Sequence, residues 1–143
     1  MARISKTMTT IVVEGEIKKD NTRFLAVRDE LLQELKSGKY PIRVDMSWSY
    51  ESDPSGMPTD EVLARIAELE EALLPALEKN NLALLAYQVT GEGKRIWSFY
   101  TRNLPAFETT LNDALDGLPL LPLEFYAEED REYEAFQEVL ELM

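Results

Sequence analysis

Two residue types are missing from this chain altogether: it has no cysteine and no histidine. Without cysteine there is no thiol nucleophile, no disulfide, no redox switch and no thiolate-held zinc or iron–sulfur site. Without histidine the usual general base near neutral pH, and the commonest metal ligand, are gone. Catalytic dyads and triads and most transition-metal sites fall with them. Carboxylate, lysine or tyrosine chemistry remains, or a magnesium or calcium ion held by carboxylates. Positive charge is also scarce: 15 lysines and arginines stand against 27 acids, a formal net charge of −12. So acidic a surface repels phosphate, and the thinly spread basic residues form no patch to offset it. Such acidity suits either a merely solvated surface or a basic protein partner, and direct nucleic-acid binding is not expected. Long apolar runs are missing too. The opening MARISKTMTTIVVEGE has no signal-peptide core, and no stretch approaches the ~20 apolar residues of a membrane helix. A soluble cytoplasmic protein is expected, with no membrane contact.

What is present reads as one domain, 1–143: 143 residues, 45% of them hydrophobic, suffice for a core that needs neither disulfide nor metal. Met8 to Ile17 is rich in β-branched residues and predicts a strand; Asp20-Asn21 is a turn signal, and RFLAVRD predicts the return strand of a hairpin. Leu31, Leu32 and Leu35 suit one or two helical turns ended by Gly38. Residues 41–50 alternate strictly, with Ile42, Val44, Met46, Trp48 and Tyr50 on one side and Arg43, Asp45, Ser47 and Ser49 on the other. That is a strand with one face in the core.

After the turn-forming ESDPSGMP, Thr59 occupies an N-cap position ahead of Asp60 and Glu61. Val62, Ile66, Leu69, Leu73 and Leu77 then recur at helical spacing, with Pro75 placed to kink or loosen the last turn and Asn80-Asn81 to end it. LALLAYQV, 82–89, reads as a strand buried on both faces; TGEG is a tight connection, and 94–102 is the returning strand. Phe107, Leu111 and Leu115 mark a further helix, from Pro105 to Gly117. A last strand is expected over 118–126, at a sheet edge because of Pro119 and Pro122, and an acidic helix closes the chain.

Strand, helix, strand, strand, helix, strand is the split βαβ order. The predicted fold class is therefore α+β: a ferredoxin-like βαββαβ antiparallel sheet, with two helices on one face, over 39–126. A hairpin extension, 1–38, and a C-terminal helix, 127–143, are added to it.

Four segments together resemble a known family: PIRVDMSWSY, GMPTDEVLARIAELEEAL, GKRIWSFYTR and LEFYAEEDREYEAF. They are similar to domain-of-unknown-function family 695, bacterial proteins with a G-x-P before a helix carrying paired acids. That family also has an R-x-W/F-x-F-Y strand and a final acid–x–x–aromatic–x–x–aromatic helix. The resemblance covers the chain from about residue 9 onward. Its layout is similar, more distantly, to the regulator of ribonuclease E activity B, a small acidic protein inhibitor. Where the family commonly has Trp then Tyr in the last motif, this chain has Tyr133 and Phe136. The resemblance implies a fold and no activity.

The candidate interaction residues are Arg43, Asp45, Tyr100, Arg102, Tyr133 and Phe136. Alternation places Arg43, Asp45, Tyr100 and Arg102 on the outer sheet face, where aromatic and arginine side chains are the usual composition of a binding hot spot. The same face is alternatively covered by the hairpin or the last helix, and its charges then pair across strands. Tyr133 and Phe136 lie on one face of an acidic helix that either docks a basic groove or packs on its own sheet. Glu70 borders the long helix's apolar stripe and needs a partner such as an arginine if buried. SDPSGMPTDE lacks calcium-loop spacing, and TGEGKR, set between strands, is a hairpin turn and not a phosphate loop. No catalytic residue, metal ligand or cofactor motif stands out. The leading expectation is a non-catalytic binding or regulatory module. The alternatives are a small-molecule-binding domain or carboxylate-based hydrolase with a sheet-face pocket, and a homodimer.

Overall fold

The computed structural model describes residues 9–14, 22–28, 31–51, 56–119 and 121–141. The chain folds as α+β. Strands β1 (Thr9–Glu14), β2 (Thr22–Val27), β3 (Ile42–Ser49), β4 (Ala83–Gly91), β5 (Lys94–Thr101) and β6 (Leu123–Glu129) form one sheet in the order β1-β2-β4-β5-β3-β6. Every neighbouring pair is antiparallel. Helices α1 (Leu32–Lys36), α2 (Asp60–Glu78), α3 (Leu104–Leu115) and α4 (Glu134–Glu141) complete it.

The alternation of β3 divides the molecule. Val44, Met46 and Trp48 face Trp97, Phe99 and Leu85, and α2 and α3 cover them with Ile66, Leu69, Leu73, Leu77, Phe107 and Leu111. Both helices start where their sequence provides caps. Thr59 accepts the Val62 N–H at 3.3 Å, and Asn103 accepts the Ala106 N–H at 2.9 Å, each satisfying an otherwise orphaned donor. Phe107 anchors α3 edge-on to Phe99, the ring centroids 5.5 Å apart. That geometry adds about 0.5–1.5 kcal/mol to the burial. The long helix α2 runs on through Pro75 to Glu78 and breaks at Asn80 and Asn81, both at positive φ.

The other face carries a second core: Val27, Leu31, Leu35, Tyr40, Leu84, Ala86, Tyr100 and Phe136. Here α1 and α4 lie against the sheet, so of the two expectations for this face the covered one describes its centre. Arg28, nearly fully buried, joins the two sides by donating to the Leu85 carbonyl and pairing with Glu78 at the end of α2.

A bulge in β4 shifts the register between Leu85 and Tyr87. Simple alternation would put Tyr87 beside Leu85 on the first face. The extra residue sends it to the second face, opposite Ser98. The last strand also departs from its expected span of 118–126. It begins only at Leu123, past Pro119 and Pro122, which lack the N–H a ladder needs. It then continues through Glu129, and the final helix starts at Glu134 instead of 127. As its prolines indicate, β6 is an edge strand. The predicted β-hairpin is present as β1 and β2, while its turn, 15–21, lies outside the described residues.

Candidate functional site

Across β5, β3 and β6 the register lines up two rows on the second face: Tyr100–Arg43–Glu128, and Ser98–Asp45–Tyr126. Their polar atoms turn on one another. Arg43 Nε donates to Asp45 Oδ2 at 3.3 Å and Arg43 Nη2 to Glu128 Oε1 at 2.9 Å. Its guanidinium stands 6.0 Å from the Tyr126 ring centre. Ser98 donates to the other oxygen of Asp45 at 2.8 Å, and the Tyr126 hydroxyl to Glu128 at 2.6 Å. Asp130, just past β6, takes the Tyr100 hydroxyl at 2.6 Å and lies 3.9 Å from Arg43. It also caps α4 by accepting the backbone N–H of Glu134 at 2.8 Å and of Ala135 at 3.2 Å.

One carboxylate thus fixes the sheet, the arginine and the start of α4 together. The sharp turn into that helix places Tyr133 at φ +46° and lets Phe136 drop into the second core. Arg43, Asp45 and Tyr100 are therefore brought together, and Tyr133 and Phe136 pack on the same side. Tyr100 and Phe136 are themselves fully buried. Arg102 does not join them. The β5 ladder ends at Thr101, and Arg102 is exposed, opening onto a hollow with Lys79, Asn80 and Asn103.

The electrostatics hold the buried phenols here in their protonated form. Burial pushes the Tyr100 hydroxyl far above its ordinary value, and the hydrogen bond to Asp130 pushes it further. Burial raises Tyr87 as well, against the opposing effect of its hydrogen bond to Ser98. Burial alone would lower the Arg43 pKa, but the charges of Asp45 and Glu128 outweigh it and hold the guanidinium ionised. At neutral pH the site holds three neutral phenols, Tyr87, Tyr100 and Tyr126, and one guanidinium set among three carboxyl groups, those of Asp45, Glu128 and Asp130.

Sequence reasoning missed Tyr87, Tyr126, Glu128 and Asp130. Tyr87 is hidden by the bulge. Tyr126 and Glu128 lie in a strand that begins five residues later than expected, so their parity could not be counted, and Asp130 follows that strand's end.

A second polar group lies on the first face. Glu70, on the border of the α2 stripe, accepts Arg95 Nη2 at 2.9 Å and the Trp97 indole N–H at 3.0 Å through one oxygen. Arg95 lies over the Trp97 ring at 5.3 Å. Residues 95 and 97 project from the same side of β5, so an R-x-W sequence presents both donors to one acid. The G-x-P segment has an equally local purpose. Gly56, at φ +87°, accepts the Gly93 N–H and the Tyr50 hydroxyl, both at 2.9 Å. A Cβ there would sit 2.8 Å from the Glu92 nitrogen.

With these contacts in view, the comparison with protein families has a physical basis. A model described as a family of unknown function, DUF695, matches residues 16–141. The chain belongs to that family. No curated protein matches it. In this DUF695 member the residues behind the resemblance are fasteners. Gly56 ties the loop before α2 to the β4–β5 hairpin, Arg95 and Trp97 tie β5 to α2, and Tyr100 and Asp130 tie β5 to α4. Among the described residues no group of three or more acids is placed to hold a metal ion, and no helix is long and apolar enough to cross a membrane.

Proposed function

We propose that this DUF695 protein is a non-catalytic, cytoplasmic protein-contact module whose surface recognises a basic partner. One observation carries the reading: the exposed aromatic side chains of β6. Phe125 is 46% and Tyr126 56% exposed, consecutive residues on opposite faces of an edge strand that also bears Glu124, Glu128 and Glu129 and no basic residue. Large rings left in water amid acids cost solvation and contribute little to folding, but they are what a basic protein surface engages. The chain's net charge of −12 supports long-range attraction of such a partner. The Arg43–Asp45 cluster borders this surface and stiffens it. A hydrolase or small-molecule reading gains no support from that cluster, whose acids are engaged by Arg43, Ser98 and backbone N–H groups and whose phenols stay protonated.

We read the scaffold as a ferredoxin-like core with additions. The chain order β3-α2-β4-β5-α3-β6 combined with the spatial order β6-β3-β5-β4 supports this, and β1, β2, α1 and α4 are the additions.

The test is capture from cell lysate at low and high salt, wild type beside a Glu124→Lys/Tyr126→Ala variant. Retained proteins are identified by mass spectrometry and rebound in purified form. A basic protein held at low salt, released by high salt and lost from the variant is expected. Equal capture by both baits, or binding indifferent to salt, overturns the proposal.

A further inference from the structure

The way a partner engages β6 follows from what lies on each side of that strand. As the sheet's last strand, β6 pairs only with β3, so the outward half of its backbone N–H and C=O groups has no strand beside it among the described residues. The open ladder runs from Leu123 to Glu129, about 23 Å at the usual rise per residue. Edges of this kind are templates for strand addition unless they are blocked. Between Leu123 and Glu129 there is no proline and no lysine, two of the devices that commonly block one.

The two faces of the edge differ in chemistry. Leu123, Phe125 and Ala127 lie opposite Trp48, Met46 and Val44, on the face covered by α2 and α3. The helices stop short of β6, leaving a groove of about 360 Å³ between it and α3, lined by Val44, Leu104, Phe107, Leu111, Phe125 and Ala127 together with the polar Glu108 and Asn112. Glu124, Tyr126 and Glu128 project from the opposite face. A strand laid along β6 therefore directs alternate side chains toward a mostly apolar groove and toward a glutamate–tyrosine–glutamate row.

We infer that β6 is a strand-addition site for an extended segment of a partner protein in which apolar and basic residues alternate. A second copy of this chain is the wrong occupant. Two antiparallel β6 strands centred on Tyr126 would set Glu124 against Glu128 of the other copy twice over, and like charges directly opposite each other destabilise a sheet. An alternating basic strand replaces that repulsion with attraction, and offers a cation to the face of Tyr126.

This inference rests on the protein-contact reading, and the experiment separates the two. The probe is a blocked octapeptide of alternating lysine and valine. It is compared with a peptide of the same composition in two blocks, and with the alternating peptide N-methylated at every second residue, in each of the two phases. Affinity is read by fluorescence anisotropy, and the site by amide hydrogen exchange. Expected are binding that weakens with salt and slowed exchange within Leu123–Glu129. At least a tenfold loss is expected for the block peptide, for one of the two N-methylated phases, and for the variant Phe125→Lys, whose folding is verified by circular dichroism. Equal affinity for all the peptides, or protection away from β6, overturns strand addition while leaving a basic contact surface standing. Concentration-dependent protection of β6 without peptide assigns the edge to a second copy and also overturns the inference. If no basic peptide binds at millimolar concentration, both readings fall.

Discussion

Removing one oxygen tests whether the Tyr100–Asp130 contact is a fastener. Tyr100 is fully buried and donates to Asp130 at 2.6 Å. In Tyr100→Phe the ring keeps its packing and the hydrogen bond is lost. A hydrogen bond to a charged group is worth about 1.5–3 kcal/mol. Asp130 keeps its two backbone donors on α4, so the lower end applies, about 1.5 kcal/mol, or roughly 5 °C in Tm for a chain of this size. The pH dependence is more diagnostic. Burial and Asp130 raise the folded-state pKa of Tyr100 above its unfolded value near 10. Above that pH the unfolded chain releases this proton and the folded one keeps it. The contribution is therefore complete below about pH 10 and is lost as pH rises, at about 1.4 kcal/mol per unit. Tyr40 and Tyr87, also raised by burial, titrate in both proteins and cancel. The wild-type advantage of about 1.5 kcal/mol should thus vanish near pH 11, about one unit above the unfolded pKa. Urea unfolding from pH 7 to 11.5, followed through the fully buried Trp48 and Trp97, measures it. A gap between the two proteins that stays constant to pH 11.5 would refute the reasoning.

Three further outcomes follow from the other fasteners. Glu70→Gln removes the charge that faces Arg95 in a site where both side chains are mostly shielded from water, and should cost about 2–3 kcal/mol in urea unfolding; the loss should shrink when Arg95 is replaced by Met in the same chain. Gly56→Ala faces both a positive φ and a backbone nitrogen at 2.8 Å, so about 2–4 kcal/mol should be lost, whereas Gly38→Ala, at φ +79° with open space around it, should cost only about 1 kcal/mol. Asp130→Ala removes the α4 cap together with the acceptor of Tyr100, and should cost more than Tyr100→Phe, about 2–4 kcal/mol, with hydrogen exchange of α4 accelerated more than that of α2.

Much of this architecture is legible in the residues because it depends on local periodicity. The strict alternation of 42–48 places Val44, Met46 and Trp48 in one core, and the stripe of α2 does the same for Ile66, Leu69, Leu73 and Leu77. Glu70, at the margin of that stripe, needs a partner such as an arginine if buried, and Arg95 is that partner, from β5. What alternation cannot convey is an interruption of itself. The bulge at Ala86 moves Tyr87 across the sheet, and the late start of β6 resets which of its residues face which way. Asp130 is invisible for another reason: its value lies in Tyr100, thirty positions earlier in the chain, and only the folded sheet brings the two together. Arg102 follows the alternation of β5 on paper, but the ladder stops one residue before it, and past a strand's end parity has no force.

A fastener and a contact surface respond oppositely to substitution. Glu70, Gly56, Tyr100 and Asp130 each join elements far apart in the chain, so replacing them alters stability. Phe125 and Tyr126 make only partial contacts, Phe125 beside Met46 and Tyr126 beneath Arg43: the strand that carries them is exposed along nearly its whole length, and α3 stops short of it. Polar replacements there give up only the shielded half of each ring, so stability should fall by about 1 kcal/mol, less than for the fastener variants. Were the rings serving only the fold, this would be a poor place for them, since the same area under α3 would bury them completely. The family signature then explains why the chain adopts its shape and is silent on what the shape meets. That second question belongs to β6, whose aromatic and acidic side chains the fold leaves in solvent beside an open hydrogen-bonding ladder.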